Sequence, residues 1–168
     1  MHHTRLSPRH NRKPNDAELR AAVEAAGNWG TYVMVHAYTP ASIQRALRAG
    51  VQCIEHGHLM DDATARMIAE KGAWLSMQPL PDELAEAFPP GSVQRAKAVE
   101  VFAGTAKTYA LAKKYQIKTA WGTDVLFSAA LARQQGALLA KITAWFTPAE
   151  ALAQATGTNA QLLALSGE

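Results

Sequence analysis

Three short apolar runs in this chain each end in a side chain able to bind a metal ion. The first is Tyr32-Val33-Met34-Val35-His36-Ala37-Tyr38, β-branched on both sides of Met34. The second is Val51-Gln52-Cys53-Ile54-Glu55-His56-Gly57, and the third is Ile117-Lys118-Thr119-Ala120-Trp121-Gly122-Thr123-Asp124. Apolar runs this short, set off by glycine, read as strands buried on both faces.

Helical segments alternate with these strands. Asn15 or Asp16 caps a helix to about Ala26, with Leu19, Ala22, Val23 and Ala26 at three-four spacing. Thr39-Pro40 starts a second helix, with Pro40 at its first position and Ile43, Ala46 and Leu47 facing inward. Asp61 or Asp62 caps a third helix, to about Lys71, and a strand follows from Ala73 to Met77. Residues 79–90 hold four prolines and read as a long loop at that strand's end. Ser92 caps a helix expected to run unbroken to about Tyr115, which would span roughly 36 Å. After the fourth strand, Leu131 to Trp145 reads as helix, then Pro148 opens a short one and Thr158 to Leu165 a last one. Strands alternating with helices specify an α/β fold with a parallel sheet. Chemistry-bearing residues at successive strand ends specify a partial (β/α) barrel of about four parallel strands with flanking helices.

The chain is long enough for one domain with a real core. We divide it into a basic, poorly ordered arm at residues 1–14 and a half-barrel domain at residues 15–168. The formal charge of +3 draws on Arg5, Arg9, Arg12 and Lys13 in the arm. No aromatic residue interleaves with that run, so a nucleic-acid partner is not expected. No apolar stretch is long enough to cross a membrane, and no signal peptide is evident. One cysteine, Cys53, permits no intrachain disulfide, which fits a cytoplasmic location.

His36, His56 and Asp124 are the candidate metal ligands. Imidazole nitrogen and carboxylate oxygen are the donors zinc takes in catalytic sites. A metal of that kind makes water a nucleophile near neutral pH. A carboxylate beside it can accept the proton and pass it on to a leaving amine. His58 reads as an exposed loop histidine, because Gly57 ends its strand, and Met77-Gln78-Pro79 as a stretch that lines the pocket.

Val-His-Ala-Tyr-Thr at 35–39, Ile-Glu-His-Gly at 54–57 and Gly-Thr-Asp at 122–124 resemble the amidohydrolase superfamily of metal-dependent hydrolases. The resemblance is to its imidazolonepropionase-like and Xaa-Pro or Xaa-Arg dipeptidase branch, from about Ala17 onward. It implies a (β/α)8 barrel with one or two zinc ions and hydrolysis of a small peptide-like substrate. It implies that His36 and His56 are the ligands ending the fifth and sixth strands, and that Asp124 ends the eighth as ligand and proton shuttle. It also places Tyr38 near the substrate carbonyl, where a phenol can donate to an oxyanion. The family's first-strand His-x-His pair and its fourth-strand bridging lysine or glutamate have no counterpart here. The resemblance therefore covers only the C-terminal half of the barrel.

Half a barrel leaves two strand edges open and is expected to expose apolar side chains on its inner face. A twofold homodimer, pairing the last strand of one copy with the first of the other, would close it. The expected function is metal-dependent hydrolysis of amide bonds, with loss of activity in a truncated form as one outcome. The alternative is a catalytically silent, self-associating scaffold of the same fold.

Overall fold

A computed structural model describes residues 14–79, 85–86, 88–125 and 129–163. The basic arm, apart from Pro14, lies outside the described residues, as do half of the proline-rich loop and the end of the last expected helix. Four strands form one sheet: β1 (Met34–Ala37), β2 (Cys53–His56), β3 (Trp74–Met77) and β4 (Lys118–Trp121). Their order is β1-β2-β3-β4, and every neighbouring pair is parallel. Parallel neighbours need crossovers. These are α2 (Pro40–Ala49), α3 (Asp62–Glu70) and the pair α4 (Val93–Ala103) and α5 (Thr105–Lys114), with α1 (Asp16–Asn28) preceding β1. Beyond β4 come α6 (Ala129–Ala132), α7 (Gln135–Lys141), a 3-10 turn at Ile142–Ala144, α8 (Pro148–Ala153), a π-helical stretch at Gln154–Thr158, and α9 (Asn159–Leu162).

The helix starts follow from local chemistry. Asn15 with Glu18, Thr39 with Ser42 and Thr147 with Glu150 form reciprocal capping boxes, and Asp61 and Ser92 each cap by side chain. The expected helix from Ser92 to Tyr115 is instead two helices. Gly104 is the junction, and a Cβ there would stand 1.9 Å from the His58 carbonyl oxygen. The segment expected as one helix from Leu131 to Trp145 is likewise divided between α6, α7 and the 3-10 turn.

Ile43, Leu47, Ile54, Ile68, Leu75 and Tyr109 fill the core between the sheet and helices α2, α3 and α5. The opposite face of the sheet is less apolar than expected. Register places Met34, Cys53, Trp74 and Lys118 in one row on it, and His36, Glu55, Ser76 and Ala120 in the next. Met34 is its exposed large apolar side chain among the described residues. Leu162 of α9 packs on that face with Cys53 and Ala120, and the Tyr32 hydroxyl donates to the Leu162 carbonyl. The chain's own last helix thus reaches across the sheet from β4 toward β1.

That segment also occupies part of the open β4 edge. Gly122 N–H bonds to the Met77 carbonyl on the β3 side, so the peptide groups of Trp121 face the other way. Asn159 takes both: its Oδ1 accepts from Trp121 N–H at 3.0 Å, and its Nδ2 donates to the Trp121 carbonyl at 2.8 Å. One carboxamide stands where a neighbouring strand's peptide would. Among the described residues, no helix is long and apolar enough to cross a membrane.

Candidate active site

The histidines sit at the C-terminal ends of parallel strands, where the backbone presents side chains beyond the sheet. His36 is the third residue of β1 and His56 the last of β2. Strand alternation pairs His56 with Ala37 and His36 with Glu55, which would put the two imidazoles on opposite faces. His56 breaks that alternation with a φ of 78°, and Gly57 follows at 66°. Histidine is among the residues that tolerate the left-handed region. Gly57 has no such substitute, because a Cβ would lie 2.7 Å from Leu75 Cδ1. The result is that His36 Nδ1 and His56 Nε2 lie 2.7 Å apart.

His56 is held on three sides. Its Nδ1 lies 2.7 Å from Gln78 Oε1, just past the end of β3. The Tyr38 ring stacks on it, centroids 4.4 Å apart and planes 8° from parallel. His58 supports Gln78 in turn, its Nε2 3.2 Å from the Gln78 carbonyl oxygen. His58 is fully buried, contrary to the expectation of an exposed loop histidine. Thr108 of α5 donates to the His58 carbonyl at 3.0 Å, and Gly104 packs against the same oxygen. Burial pushes the His58 imidazole down to about 4, so it stays neutral near pH 7.

Tyr38 is half-buried, and its phenol titrates above the usual tyrosine range. Burial is the first cause and the negative charge of Asp124 the second. Tyr38 is therefore a hydroxyl donor at neutral pH. Asp124 lies on the segment after β4, exposed, with a φ of 52°. Its charge is felt at Tyr38, but it does not join the histidines in a donor cluster. Among the described residues no three of His, Cys, Asp and Glu are grouped to hold a metal ion. Of the three residues expected as ligands, the structure brings His36 and His56 together and leaves Asp124 apart from them.

The donor set can be tested against a metal directly. Two imidazole nitrogens this close together are zinc donors in kind. Two nitrogens on one tetrahedral zinc lie roughly 3.3 Å apart at usual bond lengths. The pair would have to open slightly from its present hydrogen bond. The histidines fit a metal in kind and leave the rest of its shell to other groups. His36 and Tyr38 also line a cleft of about 220 Å³ with Thr39, Ser42 and Arg45. That is below the roughly 300–1,000 Å³ of complete small-molecule sites. Cys53 takes no part: it is buried, and its thiol is pushed up to about 12, first by burial.

Sequence reasoning left His58 out of the site and placed Gln78 only in the pocket lining. The signal for Gln78 was its place one residue past a strand end, level with the other strand-end groups.

The family model for the amidohydrolase family matches residues 3–168. The chain belongs to the amidohydrolase family. It is 36% identical to an amidohydrolase of known crystal structure, covering 90% of this chain and 37% of that one, with a TM-score of 0.81. A prolidase complexed with N-methylphosphonate-L-proline is 32% identical over 96% of this chain and 40% of its own, with a TM-score of 0.83. A Xaa-Pro dipeptidase with bound methionine is 28% identical over 93% of this chain and 39% of its own, with a TM-score of 0.78. An uncharacterised Mycobacterium bovis protein is 33% identical over 61 residues, 36% of this chain and 16% of that protein. The chain therefore spans about two-fifths of the length of these solved structures, and its four-stranded sheet is a partial (β/α) barrel.

Proposed function

We propose that this chain carries part of the active site of a metal-dependent amidohydrolase that cleaves peptide-like amide bonds in dipeptide-sized substrates. The observation that supports this is the convergence of His36 and His56 at adjacent strand ends, beside the Tyr38 phenol. The prolidase and Xaa-Pro dipeptidase relatives support the substrate class. His36, His56 and Asp124 are the proposed ligands of zinc, one or two ions in this family. Bound zinc supplies Lewis acidity at a carbonyl and lowers the pKa of water. The chain's own residues do the rest. Tyr38, kept protonated by its surroundings, donates a hydrogen bond to the carbonyl oxygen as negative charge grows there. Asp124, exposed and close enough to Tyr38 for its charge to act there, accepts a proton from the attacking water and delivers it to the leaving amine as the C–N bond breaks.

Elemental analysis of the purified protein, together with dipeptide hydrolysis assays, tests this. Zinc near one per chain is expected, with turnover abolished in Asp124→Ala and lowered about 100-fold in Tyr38→Phe. Unchanged turnover in Asp124→Ala refutes the assigned role.

The second reading, a silent self-associating scaffold, draws on the lack of a three-donor cluster among the described residues. It requires zinc to be lost to mild chelation and no turnover with any dipeptide. The partner for such association is a second copy closing the barrel. Pairing its β1 with β4 here has to displace Asn159 from Trp121. A monodisperse monomer by light scattering rules that dimer out.

A further inference from the structure

We propose that Gln78 is the positioning residue of this site: its side-chain carbonyl fixes His56 as the Nδ1–H tautomer and leaves Nε2 as the lone-pair atom facing His36. The inference rests on the reading of His36 and His56 as metal ligands.

Hydrogen-bond chemistry assigns the roles in order. A carboxamide oxygen only accepts, so the 2.7 Å contact with Gln78 Oε1 requires the proton on His56 Nδ1. Neutral His56 then has its lone pair on Nε2, and His36 Nδ1 is the donor across their 2.7 Å contact. A metal arriving at that point meets His56 Nε2 with its lone pair already directed outward. His36 has to give up that hydrogen bond and move its proton from Nδ1 to Nε2 before the same atom can ligate. An imidazole ligand whose far N–H is tied to a carbonyl is the arrangement that fixes ring orientation and raises basicity in metal sites.

Gln78 is itself immobilised. It is 3% exposed, and its backbone carbonyl accepts from His58 Nε2 at 3.2 Å. That contact puts the His58 proton on Nε2 and leaves its Nδ1 buried without a partner among the described residues. On the other side, a Cβ added at Gly122 would come within 4.0 Å of Gln78 Nε2. The amide nitrogen thus lies toward the end of β4 while the oxygen meets His56. Helix α5 braces the assembly through Thr108 and the His58 carbonyl. The chain Thr108, His58, Gln78, His56, His36 runs from the outer helix layer to the candidate metal position.

Long-range ¹H–¹⁵N correlation spectra of the metal-free protein, with zinc affinity by chelator competition, test the proposal. The wild type is expected to show His56 as the Nδ1–H tautomer. Gln78→Met, close in volume and unable to accept, is expected to lose that preference and bind zinc about 10- to 100-fold more weakly. Gln78→Glu, which keeps the accepting oxygen, is expected to restore both. An Nε2–H tautomer in the wild type overturns the proposal, even if neither variant folds. So does Gln78→Met with tautomer and affinity unchanged. A wild type with the expected tautomer but no zinc affinity refutes the metal-site reading and leaves the role of Gln78 in orienting His56 standing.

Discussion

Asn159 offers the most direct test of how this partial barrel manages an open edge. Its carboxamide makes two hydrogen bonds to the peptide groups of Trp121, at 3.0 and 2.8 Å, on the side of β4 where no strand pairs among the described residues. Asn159→Ala removes both. Each such bond contributes about 1 kcal/mol net, and a half-buried peptide group left unpaired costs somewhat more. Alanine is the better helix former and Asn159 sits at φ −61°, which returns about 0.5 kcal/mol. The expected net loss is about 2 kcal/mol, or roughly 4–8 °C in Tm for a chain of this size. Urea denaturation measures the loss, and analytical ultracentrifugation shows whether the freed edge promotes self-association. Asn159→Asp is the informative control. It keeps an acceptor for Trp121 N–H but sets an oxygen against the Trp121 carbonyl, so it should destabilise at least as much at neutral pH. A loss below about 0.5 kcal/mol in Asn159→Ala, with no change in association, would refute the edge-capping account.

Three further predictions concern the frame of the site. Gly104→Ala places a Cβ 1.9 Å from the His58 carbonyl oxygen, a contact only backbone movement can relieve, so a loss of about 3 kcal/mol is expected by chemical denaturation. Gln116 holds a φ of 52° in the turn before β4, whereas Gly50 and Gly72 take the matching turns before β2 and β3. Gln116→Gly should therefore stabilise by about 0.5–1 kcal/mol, and a lower Tm would contradict this. The Asp61 carboxyl, which caps α3, is held below its ordinary value chiefly by hydrogen bonds from Thr64. Its contribution is complete above the unfolded carboxylate range and is lost as pH falls through the folded value. Asp61→Ala should cost about 1 kcal/mol at pH 7 and less under strongly acidic conditions, read from parallel denaturation curves.

Much of this architecture is legible along the chain because its causes are local. Asn15, Thr39, Asp61, Ser92 and Thr147 cap helices through atoms three residues away. The apolar runs ending in His36, His56 and Trp121 make strands for the same reason, and their alternation with helices fixes a parallel sheet. The sequence by itself therefore determined which elements form, in what order, and which strand ends carry imidazoles. The tertiary structure decided where those side chains meet. The left-handed backbone at His56 overrides strand alternation and turns its ring to His36. The division of the long helix at Gly104, the burial of His58 and its grip on Gln78 all depend on α5 packing against the turn after β2. Asp124 was expected beside the histidines, but its place depends on the path of the chain after β4, which leaves it exposed near Tyr38. Spacing along a chain cannot encode these contacts, because each joins side chains whose separation is set by packing between distant elements.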